Sequence, residues 1–359
     1  MAGISSEWGI RAPVKTVLLP GLLFWPHNMP KTYAIVGTGA VGGLYGALLH
    51  HAGREVHFLL RSDYEHVRRH GLRVDSPLGD VRIPKVHCYS EPEAMPACDV
   101  VVVAWKTTQN AHLGRVLPRL VKPGGAVLVL QNGLDPEREA AAHAGGAAIL
   151  AGLCFLCSRK EGPGWIRHQD YGMVTFAAYG DGRGNSDGRS NDAGNGDAPV
   201  RSLGVTPEMR AVESDFREAR VETRLEEDWR CARWRKLVWN IPFNGLSALL
   251  DADTRELMAH PGTRALLGDL MDEVMAGAAA CGCPLPPDFP QKMLASTEAM
   301  APYETSMKLD RNARRPMELE AIYGRTLEEI RKAGGTAPRM EALLAELRFL
   351  EGRDGVDAS

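Results

Sequence analysis

The sequence lacks a long hydrophobic run and a large excess of either charge. Its 359 residues include 42 lysines and arginines against 45 aspartates and glutamates, a formal net charge of −3. This near balance gives no basic surface for nucleic acid and no acidic tail. The apolar patch VKTVLLPGLLFW near the amino terminus is broken by Pro20 and Gly21 and is too short to cross a membrane. We therefore expect no nucleic-acid partner and no membrane association.

Cysteine and histidine patterns typical of disulfides or metals are also lacking. The chain has seven cysteines, an odd number without a disulfide framework. Cys154 and Cys157 form a CxxC, but it lies in the apolar run ILAGLCFLC and has no second CxxC with metal spacing. His50, His51 and His168 lack metal-ligand spacing as well. We predict core cysteines, no metal, and a reducing, cytoplasmic setting.

The first half of the chain does contain a strong alternation of strands and helices. Apolar runs predict strands at 33–36, 55–60, 99–104 and 126–130, with helices at 44–51 and 110–120. From about residue 207 the pattern is helical to the end, and helices are predicted over 207–219, 228–250, 261–281, 287–300, 314–334 and 337–350. The predicted fold class is α/β, with an amino-terminal Rossmann-type, doubly wound parallel sheet followed by an all-helical carboxyl-terminal domain.

These patterns divide the chain into three parts. Residues 1–30 have no place in either domain, and Met29 would make a tidy start, so we expect a leader or extension outside the fold. We predict an NADP-binding Rossmann domain over 31–205 and a helical substrate and catalytic domain over 206–359. Within the first domain, residues 181–200 are Gly, Asn, Asp and Ser with hardly an apolar side chain, which predicts a flexible loop.

A glycine-rich motif of the form GxGxxG follows the first predicted strand and opens a helix. It comprises Gly37, Thr38, Gly39, Ala40, Val41 and Gly42. Its glycines permit a tight turn, close approach of a pyrophosphate and close packing of helix on strand. The helix amino terminus offers free N–H groups and a positive dipole end to phosphates. We predict that all six residues bind a dinucleotide; a purely structural turn is the weaker alternative.

The end of the second predicted strand lacks the acidic residue that usually binds the ribose hydroxyls of NAD. Leu60, Arg61 and Ser62 stand there instead. Arg61 can pair with a 2′-phosphate, to which Ser62 can donate a hydrogen bond. We therefore predict NADPH as the cofactor. Two alternatives remain: Arg61 is a solvated surface residue, or the nearby Asp63 binds NAD.

Polar residues follow two further predicted strands at the same edge of the sheet. Lys106 and Gln109 come after the strand at 99–104, and Asn132 comes after the strand at 126–130. Ligands in open α/β sheets bind outside the carboxyl ends of the strands. Lys106 can reach a ribose or phosphate, and Asn132 can hold the nicotinamide end or the substrate. Capping of the following helix is the alternative for each.

A polar stripe runs along an otherwise apolar helix in the second half. In WRKLVWNIPFNGL, Lys236, Asn240 and Asn244 recur every fourth residue and so share one helix face. A helix that is apolar all round is buried, and buried ammonium and amide groups need partners, which a substrate can supply. A solvated helix face is the alternative. Pro242 removes one helical hydrogen bond and predicts a kink.

This stripe resembles the signature helix of the ketopantoate reductase family, the 2-dehydropantoate 2-reductases. The segments TSMKLD at 305–310 and RPMELE at 315–320 are similar to a second signature of that family. The glycine loop and QNG at 131–133 are similar to other parts of the family pattern. The resemblance runs from about 32 to 350. It implies NADPH-dependent reduction of a 2-keto acid to a 2-hydroxy acid, 2-dehydropantoate to (R)-pantoate in pantothenate biosynthesis.

The resemblance also implies roles for individual residues. Its catalytic positions fall on Lys236 and Glu318, and its substrate-binding positions fall on Asn132, Asn240, Asn244 and Ser306. Hydride delivery to a ketone leaves negative charge on oxygen, which an ammonium group stabilises and protonates. Because an ordinary lysine, with a pKa of about 10.4, is a sluggish acid, desolvation that lowers this pKa would help. Glu318 can accept a hydrogen bond from a substrate hydroxyl or orient Lys236. The alternative is that Glu318 lies on a solvent-exposed, charge-rich surface.

Departures from the family pattern bear on the substrate. Met317 stands where the family usually has threonine, Glu320 stands for aspartate, and Trp239 and Phe243 add bulk. A related NADP-dependent hydroxyacid dehydrogenase with a larger or differently branched substrate is therefore the second hypothesis, and a non-catalytic NADPH sensor is the third. We expect a monomer or homodimer whose partner is a small-molecule 2-keto acid.

Overall fold

The computed structural model describes residues 30–180 and 203–355. The predicted loop at 181–200 and the predicted leader, except for residue 30, lie outside these ranges. No helix within the described ranges is both long and apolar enough to cross a membrane.

One ten-stranded sheet organises the first half of the molecule. Its strands are β1 (Thr32–Val36), β2 (Glu55–Leu59), β3 (Leu72–Asp75), β4 (Val81–Ile83), β5 (His87–Tyr89), β6 (Cys98–Val103), β7 (Val121–Val129), β8 (Ala148–Gly162), β9 (Trp165–Ala178) and β10 (Thr223–Glu226). The order is β4-β3-β9-β8-β7-β6-β1-β2-β5, and β10 also pairs with β9. The run from β5 to β8 is parallel throughout, which confirms the predicted Rossmann-type sheet.

Helices cover both faces of the sheet and make up most of the second half. They are α1 (Ala40–His51), α2 (Tyr64–His70), α3 (Leu113–Leu120), α4 (Pro136–Ala141), α5 (Pro207–Glu218), α6 (Trp229–Leu250), α7 (Thr254–Ala259), α8 (Pro261–Ala280), α9 (Phe289–Ala299), α10 (Ser306–Asn312), α11 (Arg325–Lys332) and α12 (Pro338–Arg353). Short 3-10 turns occupy Pro92–Ala94 and Thr107–His112, and a π-helical segment, Glu320–Gly324, precedes α11. The long α6 continues through Pro242 and ends only at Leu250.

Three apolar cores hold these layers together. One face of the sheet packs Phe58 and Phe176 against α1 and α5, and the other packs Val101 and Val127 against α3. A separate core surrounds α6, which packs against α8, α10 and α12. This arrangement buries α6 on most sides and places it between the sheet and the remaining helices.

The domain boundary differs from the one that the sequence suggests. Helix α5 contributes Met209, Val212 and Phe216 to the core of the sheet, and β10 pairs with β9. Both elements therefore belong with the sheet, and the packing changes at about Asp228 instead of at 206. The expectation of helix alone after residue 207 is wrong because a four-residue strand, β10, carries too short a pattern to be recognised before its partner is known.

Other elements also depend on contacts that the sequence pattern does not contain. Strands β8 and β9 form a long antiparallel hairpin that was not predicted. The helix predicted over 314–334 begins late, since residues 315–318 are non-helical and the π segment follows. Short α7 and α10 were not predicted either; each begins at a residue that caps it, Asp253 in a capping box and Thr305 through its hydroxyl.

Candidate active site

The glycine loop joins β1 to α1 at the carboxyl edge of the sheet. Gly37 has φ of +98°, and a Cβ there would lie 2.4 Å from the backbone nitrogen of Trp105. A Cβ on Gly42 would lie 2.2 Å from the carbonyl oxygen of Gly37, so α1 packs closely on the strand. Around Gly39, by contrast, no atom lies within 4 Å of a Cβ position. This open space at the start of α1 fits the close approach of a dinucleotide pyrophosphate.

The end of β2 exposes Arg61, whereas the nearby carboxylate of Asp63 is bound by the β8–β9 hairpin. Arg61 is exposed, and its Nη1 donates to Oε1 of Gln109 at 3.4 Å. Asp63 is buried, accepts from the backbone N–H of Gly164 at 2.9 Å and pairs with Nζ of Lys160 at 2.5 Å. The structure thus brings together Arg61 and Gln109, both predicted to bind the cofactor, and engages Asp63 with the β8–β9 hairpin.

Lys236 lies at the contact between α6 and the end of β7. Its Nζ donates to Oδ1 of Asn132 at 2.8 Å, although the two residues are 104 positions apart. Burial lowers the pKa of Lys236 to about 8. The guanidinium of Arg233, one turn earlier on α6, acts in the same direction, whereas the Glu318 carboxylate opposes it. The site therefore contains an ammonium group that loses its proton more readily than an ordinary lysine.

The polar stripe on α6 is buried along its length. The exposed fractions are 6% for Lys236, 5% for Asn240 and 3% for Asn244, which excludes the solvated-face alternative. Nδ2 of Asn240 is buried and has no hydrogen-bond partner among the described residues. An unpaired buried donor costs about 1–3 kcal/mol, so a ligand oxygen that accepts from it would be stabilising.

Glu318 is buried as well, with an exposed fraction of 4%, so its solvated alternative is wrong. It accepts from the backbone N–H of Thr107 at 2.9 Å and from the Thr107 hydroxyl at 3.0 Å. Nζ of Lys106 donates to it at 3.4 Å and lies 2.7 Å from Oδ2 of Asp310. Burial alone would lower the pKa of Lys106, but the charges of Glu318 and Asp310 prevail and raise it.

These contacts differ from the predicted ones in two respects. Lys106, predicted at the cofactor, bridges two carboxylates of the helical half. Glu318 and Lys236 form no ion pair within the described part of the chain; Glu318 acts on Lys236 through the electric field alone. Ser306 is the first residue of α10 and is half-buried; α10 packs on α6 and carries Asp310 to Lys106.

The π-helical segment Glu320–Gly324 is hydrogen-bonded to the loop that carries Asn132 and holds it in place. The backbone N–H of Leu134 donates to the carbonyl oxygen of Ala321 at 2.9 Å. Gly133 has φ of +98°, and a Cβ there would lie 2.5 Å from the same oxygen. Only glycine therefore allows this close approach between the sheet and the helical half. π-helical turns are frequent at functional sites, and this one fixes the partner of Lys236.

A buried ion pair beside Lys236 was not predicted. Arg233 and Glu137 are fully buried and paired, with Nε of Arg233 donating to Oε1 of Glu137 at 3.0 Å. Nη1 of Arg233 also donates to the carbonyl oxygen of Gln131 at 2.6 Å. The pair thus anchors α6 to the residue before Asn132. Arg233 precedes Lys236 by three residues, so the helical periodicity could have placed it beside the polar stripe. No sequence pattern indicated that Glu137 would be its partner.

The bulky residues of the stripe region point toward another helix. The rings of Trp239 and Phe243 stack with centroids 4.9 Å apart, and Nε1 of Trp239 donates to the hydroxyl of Thr297 on α9 at 3.0 Å. Phe243 is fully buried. Their bulk is fixed against α9.

The open glycine loop lies at the carboxyl edge of a parallel sheet, and the buried lysine lies where the helical half contacts that edge. This combination defines a dinucleotide-dependent oxidoreductase, in which the protein aligns a hydride donor with a proton donor. Two family models described as "Ketopantoate reductase PanE/ApbA" and "Ketopantoate reductase PanE/ApbA C terminal" match residues 33–181 and 228–351. The chain belongs to the ketopantoate reductase family.

Individual relatives agree with this assignment. A 2-dehydropantoate 2-reductase of Nostoc sp. is 48% identical over 324 residues, which cover 90% of this chain and 96% of the relative. A crystal structure of 2-dehydropantoate 2-reductase from Geobacter metallireducens is 37% identical with a TM-score of 0.78, covering 89% of this chain and 99% of that chain. A D-mandelate dehydrogenase solved with NADH and anilino(oxo)acetate is 20% identical with a TM-score of 0.76, covers 90% of this chain and 100% of that chain, and shows the shared fold alone.

Proposed function

We propose that this chain catalyses the NADPH-dependent reduction of 2-dehydropantoate to (R)-pantoate. The observation that carries the proposal is the buried ammonium of Lys236, held by Asn132 at the carboxyl edge of the sheet. When bound, NADPH supplies the hydride. The Lys236 ammonium stabilises the negative charge that develops on the keto oxygen and transfers a proton to it, and solvent then reprotonates the amine.

The lowered pKa of Lys236 suits this proton transfer. With a pKa of about 8, most of the side chain is still protonated at neutral pH. A general acid is most efficient when its pKa lies near the working pH, because it is then both protonated and willing to release the proton. A lysine with its ordinary pKa would be protonated but a weaker acid. Burial between α6 and β7 therefore tunes the group for acid catalysis.

Neighbouring polar groups would bind the substrate. Asn240, Asn244 and Ser306 can donate to the carboxylate and hydroxyl of a 2-keto acid without adding charge. The unpaired Nδ2 of Asn240 supports this role, because the bound anion would supply an acceptor. Glu318, which Thr107 holds in place, can accept from the substrate hydroxyl.

The choice of NADPH rests on the end of β2. Arg61 is exposed and lies beside Gln109, whereas Asp63 is already paired with Lys160. The 2′-phosphate of NADPH could pair with the Arg61 guanidinium. The 2′-hydroxyl of NADH would lack an acidic partner, because Asp63 is already engaged. We expect Arg61→Ala to raise the KM for NADPH at least tenfold while changing the KM for NADH less than twofold. Equal effects on both cofactors would contradict the assignment.

A substrate panel tests the reaction itself. NADPH and NADH oxidation would be measured with 2-dehydropantoate and with 2-keto acids that carry larger or differently branched side chains. We expect the highest kcat/KM with NADPH and 2-dehydropantoate. Preference for a larger keto acid would favour the related hydroxyacid dehydrogenase. Tight NADPH binding without oxidation by any keto acid would favour a sensor.

A further inference from the structure

A cluster of two thiols and a carboxylate lies at the start of α6, away from the polar stripe. Asp228 is the N-cap of the helix, Cys231 lies in its first turn, and Cys283 follows α8. One oxygen of Asp228 and the two sulfur atoms lie within 4.8 Å of one another. Among the described residues, this is the group of His, Cys, Asp and Glu side chains whose ligand atoms converge closely enough for a metal ion. Neither the family resemblance nor the proposed reaction uses it.

The carboxylate in this cluster is already oriented. Oδ1 of Asp228 accepts from the backbone N–H of Arg230 at 2.9 Å and from that of Cys231 at 3.1 Å. Both capping bonds fall on one oxygen, so the second oxygen stays available on a side chain whose position is fixed. Hydrogen bonds of this kind hold metal-binding carboxylates in place in established sites.

The two thiols lie close to each other and to the carboxylate. Contact with the neighbouring Cys283 thiol, together with burial and the Asp228 charge, raises the pKa of Cys231. The same contact lowers the pKa of Cys283. Three potential anions so close together repel one another unless protons or a cation lie between them. A divalent cation would replace two thiol protons and neutralise most of that charge.

We propose that Asp228, Cys231 and Cys283 bind one thiophilic divalent cation, with Zn²⁺ as the preferred ion and water as the fourth ligand. Zinc favours thiolate sulfur at about 2.3 Å and carboxylate oxygen at about 2.0–2.2 Å in tetrahedral geometry, which sets ligand atoms roughly 3.8 Å apart. The observed spread of the three atoms admits that separation after small side-chain rotations. Cys283 is buried, whereas Asp228 and Cys231 are half-buried, so an ion and its water can enter from their side.

The expected consequence is a tether between two parts of the helical half. The cation would join the first turn of α6 to the segment between α8 and α9. Cys231 precedes Lys236 by five residues, about 7.5 Å along the helix axis, so the ion would not touch the substrate. Binding should therefore raise the thermal stability of the protein and leave the chemical step largely unchanged. An ion that binds the folded form alone stabilises it according to its free concentration and affinity.

Cobalt(II) titration of the full-length, reduced protein gives a direct test. Tetrahedral thiolate coordination of Co²⁺ produces intense visible absorption and a thiolate-to-metal charge-transfer band, and Zn²⁺ should displace both. We expect one equivalent to bind, with affinity weakened at least tenfold in Cys283→Ser and in Asp228→Asn, which keeps the N-cap. Cys281→Ser is the matched control: it changes a cysteine two positions away, outside the cluster, and should bind cobalt like the parent.

Thermal unfolding supplies an independent measurement. Zinc at a large excess over its Kd should raise Tm by roughly 2–4 °C or more in the parent and in Cys281→Ser, and by less than 1 °C in Cys283→Ser. Circular dichroism and NADPH binding would verify that each variant is folded. Octahedral cobalt spectra or an unchanged cobalt affinity in Cys283→Ser would each overturn the proposal.

Discussion

The glycine loop and the Lys236 pocket, the two halves of the proposed active site, are built in different ways. The loop is local: six consecutive residues between β1 and α1 create it, and its key feature is space beside Gly39. The pocket is assembled over long distances, since Lys236 meets Asn132 across 104 positions and Lys106 meets Glu318 across 212. Substitutions in the loop should therefore affect one ligand, whereas substitutions in the pocket should affect the geometry of the reaction.

The largest effect is expected for Lys236→Ala. Removing the ammonium removes both the proton donor and the charge that stabilises the oxyanion, so kcat should fall by about 10³-fold or more. NADPH affinity should change less than twofold, because the glycine loop does not contact this side chain. Steady-state kinetics and NADPH fluorescence titration measure the two quantities. Lys332→Ala, on the exposed face of α11, is the control and should keep full activity; parental turnover in Lys236→Ala would exclude Lys236 as the acid.

The same contrast explains what could be predicted from the sequence. The glycine loop and the stripe depend on spacing within one element, and α6 was placed to within one residue of its observed start. The partners of Lys106 were not predictable, because Asp310 lies on the short α10 and Glu318 in a non-helical segment whose path depends on the π turn. Burial of Glu137 beneath Arg233 likewise requires β7 and α6 to be docked first.

Gly133→Ala should break the pocket without touching any ligand-binding side chain. The new methyl group would meet the carbonyl oxygen of Ala321 and push Asn132 away from Lys236. We expect kcat/KM to fall about 10²-fold, the scale at which small misplacements of catalytic groups act. Gly146→Ala is a matched control, since Gly146 also has a positive φ, +85°, but has no atom within 4 Å of its Cβ position. Similar losses in both variants would mean that backbone strain alone is responsible.

Gly39→Ala should affect the cofactor alone. Gly39 has an extended backbone that alanine accepts, and no protein atom opposes its Cβ, so Tm should stay within about 1 °C of the parent. The methyl group would occupy the space for the pyrophosphate, and we expect the Kd for NADPH to rise about tenfold. Gly268→Ala, within α8 and also without a neighbour near its Cβ position, controls for the substitution itself and should bind NADPH normally. An unchanged NADPH affinity in Gly39→Ala would place the cofactor elsewhere.

The smallest and most diagnostic effect is the pH dependence. Reduction requires protonated Lys236, so kcat/KM should be level below about pH 7 and fall as pH rises through about 8. The unfolded chain keeps the ordinary lysine pKa of 10.5 and therefore binds more protons than the folded chain between pH 8 and 10.5. In that window, the contribution of Lys236 to the free energy of unfolding increases with pH, while at neutral pH its buried charge is destabilising.

Rate and stability should thus respond to Lys236 in opposite directions. In Lys236→Met, the buried charge is replaced by an apolar side chain of similar length, which removes a penalty on the order of 3 kcal/mol implied by the fall in pKa from 10.5 to about 8. Loss of the bond to Asn132 offsets part of this gain. We expect an inactive protein that is at least as stable as the parent at pH 7, with the advantage shrinking toward pH 10. Urea unfolding at both pH values measures it. A variant markedly less stable than the parent at pH 7 would contradict this expectation. Lys236 would then be a residue that stabilises the pocket, and its buried charge would not be a net cost to the folded state.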